Sequence, residues 1–255
     1  MGGGHPADGH QARITRAASV PGDTRIRSRD GGEFDCCLAM PASDTPAPAV
    51  VLASAIHGVD EDLRAIVSAF AMHGYIAAAP DLFWRTLPGA LARGDPRAAA
   101  RAEPRLERIR AGERDLADVL AMLRTLPSFN GRAAAMGFCY GGPYAILGPK
   151  RLGYEAGIAC HGTRMLDFLD EIRGVTQPLC IVWGSSDPMA PAFVLEAFRA
   201  VRDQQRNIEL HVLPGVRHGF MMASHSGFFD APAFAFTMER ALASLGELRT
   251  APQSR

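Results

Sequence analysis

Three side chains with acyl-transfer chemistry stand in chain order: the thiol of Cys139, the carboxylate of Asp187 and the imidazole of His218. In such a set the imidazole takes the thiol proton, or holds the thiolate as an ion pair. The carboxylate fixes the imidazole tautomer, and the sulfur attacks a carbonyl carbon. The first residue carries a local signature. Ala133-Ala134-Ala135-Met136 reads as a buried strand that runs into Gly137-Phe138-Cys139-Tyr140-Gly141 and then a helix. A Gly-x-Cys-x-Gly turn between strand and helix holds a nucleophile in strained backbone geometry, and its glycines let strand and helix approach closely. A thiol at a helix N-terminus also gains from the helix dipole, which favours the thiolate.

The other two residues need comparable platforms. Ile181-Val182-Trp183-Gly184 is an apolar run ending in Ser185-Ser186-Asp187-Pro188. Leu213-Pro214-Gly215-Val216-Arg217-His218-Gly219 puts a histidine in a loop after Ile208–Leu213. In an open α/β sheet, ligands bind beyond the carboxyl ends of the strands, so three strand ends with reactive residues point to one site. The spacing between the three is about one strand–helix unit each, and the order nucleophile, acid, histidine is that of α/β-hydrolases.

The rest of the chain alternates accordingly. Thr24–Arg29 and Glu33–Met40 flank Asp30-Gly31-Gly32 and read as a hairpin. Strands are expected at Ala49–Ala55, Tyr75–Ala79, Arg132–Phe138, Glu155–Cys160, Pro178–Gly184 and Ile208–Leu213. Helices are expected at Asp60–His73, Glu113–Leu126, Met165–Ile172, Ala192–Gln205 and Pro232–Leu245. Phe83–Arg110, with Pro88, Pro96 and Pro104, reads as a long excursion with broken helices, and Arg105–Arg114 as a solvated charged face. This predicts an α/β fold with a mostly parallel central sheet flanked by helices and an N-terminal hairpin. It predicts one domain over residues 21–250 and a disordered tail over residues 1–20.

Composition narrows the function. The chain has 255 residues, with 27 Lys+Arg against 27 Asp+Glu, so no basic face speaks for nucleic acid. No apolar run is long enough for a membrane span, and the first residues have no apolar core of a secretory signal. Five cysteines without a Cys-x-x-Cys pair give no zinc or dithiol motif and suggest reduced thiols in a cytoplasm.

The chain resembles the dienelactone hydrolase (carboxymethylenebutenolidase) family of α/β-hydrolases over roughly Arg25 to Leu245. The resemblance rests on Ala53-Ser54-Ala55-Ile56-His57-Gly58-Val59, His73-Gly74-Tyr75 and Ala79-Pro80-Asp81-Leu82-Phe83. It rests further on Gly137-Phe138-Cys139-Tyr140-Gly141-Gly142, Gly184-Ser185-Ser186-Asp187 and His218-Gly219-Phe220. It implies Cys139 as nucleophile, His218 as base, Asp187 as its orienter, and an oxyanion hole from the backbone N–H groups of Ile56 and Tyr140. It implies no metal and no organic cofactor.

Three departures matter. The family usually has a glutamate, implicated in thiol activation, where this chain has Ala55. His57 is either a substitute assistant or a pocket-wall residue. Of the two arginines that clamp a substrate carboxylate, Arg85 matches the first while the second falls at Met222, and a serine expected beside the histidine is Gly219. Arg85 reads either as a substrate contact or as a surface arginine, and the apolar replacement favours a less charged lactone or ester over dienelactone. Finally, Cys160-His161-Gly162 stands where aromatic residues are usual. His57, His161 and His218 converge either on a polar pocket wall or on a metal. Trp84, Phe83 and Trp183 read as pocket lining or aromatic core, and Cys180 as strand packing. The expected function is a lactone or carboxylic ester hydrolase acting on a small molecule, as a monomer or homodimer. The competing readings are a non-catalytic small-molecule-binding homologue and a redox-sensing thiol protein.

Overall fold

The computed structural model describes residues 18–250. Eight strands form one sheet: β1 Gly22–Arg27, β2 Glu33–Ala39, β3 Ala47–Ala53, β4 Ile76–Pro80, β5 Phe129–Phe138, β6 Ala156–Cys160, β7 Leu179–Gly184 and β8 Ile208–Leu213. Their order across the sheet is β1-β2-β4-β3-β5-β6-β7-β8. The β1–β2 hairpin and the β2–β4 pair are antiparallel, and every other pair is parallel. The helices are α1 Glu61–Met72, α2 Arg97–Ala100, α3 Arg105–Leu123, α4 Tyr144–Leu147, α5 Leu169–Ile172, α6 Ala192–Arg202 and α7 Ala231–Gly246.

The central strands β3, β4 and β6 are buried at every residue. Helices covering both faces demand such continuous apolar runs in place of alternation. Two apolar clusters result. One packs α3, α4 and α6 against one face around Leu116, Tyr144 and Phe198. The other packs α1 and α7 against the opposite face around Phe70, Phe138 and Ala241. Side-chain caps start the two longest elements of the second layer: Asp60 accepts from the Leu63 N–H at 3.0 Å, and Asp230 from the Ala233 N–H at 2.9 Å.

Three local expectations are corrected. The helix expected from Glu113 begins at Arg105, behind Pro104. Its first turns are solvated on one side only, where Leu106, Glu107, Arg110 and Arg114 are exposed. Arg105, Ile109 and Ala111 are buried on the side that packs toward the sheet, and Asp115 is fully buried. The helix expected after Cys139 is broken into a 3-10 turn Cys139–Gly141, one α-turn at α4 and a π-turn Gly148–Leu152. Two Gly-Pro steps, Gly142-Pro143 and Gly148-Pro149, interrupt it. The aligned dipole expected to help the thiol is therefore short. Met165–Ile172 is likewise a 3-10 turn followed by α5. Of the tail expected over residues 1–20, residues 1–17 lie outside the described residues. Ser19 is held to the β2 end: its N–H donates to the Met40 carbonyl at 3.0 Å, and its hydroxyl accepts from the Met40 N–H at 2.7 Å.

Candidate active site

Cys139 sits where β5 ends, at φ +50°. A non-glycine residue there is strained, and the surrounding packing holds it. The packing leaves no alternative. A Cβ on Gly137 would lie 2.0 Å from the Gly141 carbonyl oxygen, and one on Gly141 would lie 2.3 Å from the Ala53 carbonyl oxygen. The glycines of the turn are thus spacers between β5, the helical turn and β3, as the sequence pattern demands. Cys139 is half-buried, whereas Cys36, Cys37, Cys160 and Cys180 are buried, and all five are free.

Asp187 and His218 come from the ends of β7 and β8, and their loops are tied together. The Ser185 N–H donates to the Leu213 carbonyl at 2.8 Å, and the Ser186 N–H to the Val216 carbonyl at 3.0 Å. The Gly215 N–H donates to the Ser185 hydroxyl at 2.8 Å. Gly184 is in close contact with Val216. The result is a buried carboxylate against a ring: His218 Nδ1 lies 2.8 Å from Asp187 Oδ2, and the Asp187 side chain is 0% exposed. Asp187 Oδ1 accepts from the Met189 N–H at 2.8 Å, so both oxygens are engaged. Burial opposes a charged His218, but its bonds to Asp187 and to Cys139 outweigh this and raise its pKa to about 10. An imidazolium between a carboxylate and a thiol is the arrangement that holds a thiolate as an ion pair.

These groups open into a cavity of about 480 Å³. Ala55, Ile56, His57, Cys139, His161, His218, Gly219 and Met222 all line it, together with Ala99, Ala102, Met189, Thr163 and His225. His57, its Nδ1 3.4 Å from Arg93, has its pKa lowered to about 4 by burial and by the charges of Arg93 and Arg101. That makes it neutral and a weak base. His161 is held neutral too, chiefly by burial and then by the His218 charge. The three histidines share the cavity wall. Among the described residues, the one trio whose metal-ligating atoms lie within 4.8 Å of one another is Cys180, Glu209 and His211, none of which lines it. There Glu209 is already paired with Arg240 and His211.

A family model described as the dienelactone hydrolase family matches residues 34–248. The chain belongs to that family. This dienelactone hydrolase family member is therefore a carboxylic ester or lactone hydrolase. A carboxymethylenebutenolidase of Pseudomonas putida is 31% identical over 232 residues, covering 88% of this chain and 96% of the relative. Carboxymethylenebutenolidase 1 of Cupriavidus pinatubonensis is 30% identical over 233 residues with the same coverage. Among solved structures, a dienelactone hydrolase of Anabaena variabilis superposes with a TM-score of 0.62 at 14% identity, covering 86% of this chain and 97% of that one. It shares the fold.

Within this family member, two expected substrate contacts lie elsewhere. Arg85 does not line the cavity. It donates to the buried Asp115 carboxylate at 2.7 Å, to Asp30 at 3.1 Å and to the Ser28 hydroxyl at 3.2 Å. Trp84 stacks on Phe34, and its indole N–H donates to the same Asp115 at 3.2 Å. A fully buried carboxylate needs such partners, so both side chains turn toward α3 and away from the cavity. Trp183 is core: its N–H donates to the Gly162 carbonyl at 2.9 Å and it packs on Phe198.

The cations at the cavity wall are Arg93, Arg105 and Arg164, which sequence reasoning did not single out. Arg93 pairs with Asp60 and Asp62. The Arg105 guanidinium has no carboxylate partner among the described residues, its backbone N–H alone donating to Glu103 at 2.8 Å. Its guanidinium donates to the Thr163 carbonyl at 2.7 Å and to the Tyr140 carbonyl at 3.3 Å, and stands over the Tyr140 ring. Behind the wall, Arg101 donates to the carbonyls of Ile56, Leu87 and Gly89 at 2.9, 2.8 and 2.7 Å. It thereby fixes the Ile56–His57 peptide, the one after the peptide that carries the Ile56 N–H. The signal that could have found these residues is the length of the excursion between Phe83 and Arg110, since connections that long are commonly binding loops.

Proposed function

We propose that this enzyme cleaves small carboxylic esters or lactones through a thioester formed on Cys139. The observation that supports this most is the Asp187–His218 hydrogen bond, buried on one side and opening on the other into the cavity that Cys139 also lines. His218 holds the thiolate of Cys139, and Asp187 stabilises the imidazolium and its tautomer. The sulfur attacks the substrate carbonyl. The N–H groups of Ile56 and Tyr140 receive the developing oxyanion, each such donor contributing about 3 kcal/mol in related sites. His218 protonates the leaving oxygen. It then takes a proton from the water that cleaves the thioester, and the sulfur departs as thiolate.

The cavity also bears on the substrate. Ala55, Ala99, Ala102, Met189 and Met222 give it apolar walls, which suits an uncharged acyl or lactone body. The free thiols fit a reducing compartment. The test compares wild type, Cys139→Ala and His218→Ala on p-nitrophenyl acetate and on small lactones. We expect turnover in wild type, its loss in both variants, and an acylated Cys139 by peptide mass spectrometry after acid quenching. Full turnover in Cys139→Ala would show that another nucleophile is at work.

A further inference from the structure

His161 is a buried polar side chain with no assigned task. It follows β6 directly, and Cys160, the last residue of β6, pairs in register with Phe138, the residue before Cys139. The two side chains therefore leave neighbouring strand ends. Both backbones are strained in the same sense, φ +40° at His161 and +50° at Cys139. A residue other than glycine is uncommon in that region and is held there by its surroundings. The His161 N–H donates to the Val182 carbonyl at 2.8 Å. His161 borders the cavity, with 1% of the residue exposed.

The ring lies 4.9 Å from the His218 ring, edge to face at 75°, and packs on Phe220 at 5.3 Å and Phe138 at 6.3 Å. Neither ring nitrogen has a hydrogen-bond partner. A buried polar atom left unpaired costs about 1–3 kcal/mol. Among two phenylalanines, a third apolar ring would avoid that cost. A neutral imidazole offers one donor and one acceptor, and next to the charged His218 it stays neutral. Both nitrogens are buried within the wall of the cavity that Cys139 and His218 also line.

We propose that His161 binds the water that hydrolyses the Cys139 thioester and holds it against His218. This rests on the reading of Cys139 as an ester-cleaving nucleophile. The water oxygen forms the new bond to the acyl carbon, and its proton passes to His218. The C–S bond breaks with its electron pair returning to the Cys139 sulfur, and the carboxylic acid leaves. His161 keeps its own proton throughout. One of its nitrogens engages the water while the other stays available to the acyl chain or to a second water. Acylation uses no water, so His161 belongs to the second half-reaction alone.

The experiment separates the halves with p-nitrophenyl acetate. Acylation is followed by p-nitrophenol release in the first turnover, and deacylation by decay of the acetylated protein in acid-quenched mass spectra. His161→Phe keeps the ring shape and removes the nitrogens. We expect its acylation rate to stay within about 3-fold of wild type and its deacylation rate to fall roughly 10–100-fold. Added hydroxylamine, a nucleophile stronger than water, should restore release of the acyl group. His161→Gln, which keeps a donor and an acceptor, should recover part of the deacylation rate, and it serves as well if the phenylalanine variant folds poorly. Equal loss in both steps, a change in KM alone, or wild-type decay of the thioester in His161→Phe would overturn the inference and leave the nucleophile standing. A wild type that never acetylates Cys139 would remove the nucleophile and this inference together.

Discussion

Asp187→Asn changes one atom in a side chain that is 0% exposed, and its effect can be worked from the contacts. Asp187 accepts two bonds, from His218 Nδ1 at 2.8 Å and from the Met189 N–H at 2.8 Å. An asparagine has one acceptor. If its oxygen stays with Met189, its NH₂ faces His218, and the imidazole must present a bare Nδ1 and carry its proton on the side of Cys139. The base then becomes a donor. The loss is one charge-assisted hydrogen bond, about 1.5–3 kcal/mol, or about 10–150-fold in kcat/KM. The tautomer error pushes the result toward the upper end. The assay is kcat/KM for p-nitrophenyl acetate across pH, with melting temperature measured alongside. His218 has its folded pKa raised above the ordinary value of 6.5 to about 10. Its contribution to stability is therefore complete below about pH 6.5 and disappears as pH climbs through about 10. The melting-temperature gap between wild type and Asp187→Asn should be widest in the acidic range and shrink toward pH 10. A variant within 3-fold of wild type, or a gap that widens with rising pH, would refute the reasoning.

Other substitutions probe the frame around the site. Gly141→Ala puts a Cβ 2.3 Å from the Ala53 carbonyl oxygen, a backbone atom that cannot step aside. Loss of at least about 3 kcal/mol, read from urea unfolding or as insoluble expression, is expected. Arg85→Ala leaves the buried Asp115 carboxylate without its guanidinium. It should destabilise the fold by about 3 kcal/mol in denaturant melts while KM for neutral esters holds, and a specific rise in KM would reinstate Arg85 as a substrate contact. Arg101→Met removes three donors from the carbonyls of Ile56, Leu87 and Gly89. It should lower kcat about 10-fold or more by loosening the loop that carries the Ile56 N–H, with thioester formation the affected step in first-turnover kinetics. Iodoacetamide under native conditions should modify Cys139 alone, as counted by intact mass, because the other four thiols are buried and burial raises their pKa values.

The strand-end positions of the three proposed catalytic groups were readable because each has local punctuation. Gly137 and Gly141 announce a close approach that only one backbone arrangement allows, and Gly184 before the Asp187 loop does the same against Val216. The sheet was readable for a related reason, since strands covered on both faces must be apolar throughout. What escaped was long-range pairing of charges. Arg85 carries no mark in the sequence that Asp115 is buried behind it. Nothing in the alternation of Arg105–Arg114 shows which guanidinium turns inward to Tyr140 and Thr163. Such choices depend on which carbonyls and carboxylates tertiary packing strips of water, and that is decided far along the chain. The broken helix behind Cys139 was missed differently: two Gly-Pro steps were present, but the expectation of a continuous helix followed the Gly-x-Cys-x-Gly pattern past them.

The excursion from Arg93 to Arg105 supplies much of the cavity wall, while Cys139, Asp187 and His218 stand on strand ends of the sheet itself. The proposed chemistry and this part of the cavity wall stand on different stretches of the polypeptide. Substitutions between those arginines that spare Arg101 can redraw the list of accepted molecules without disturbing the sulfur or the ring beside it. A lineage carrying this scaffold can change its diet by remodelling one segment, and directed evolution aimed at new esters should begin there.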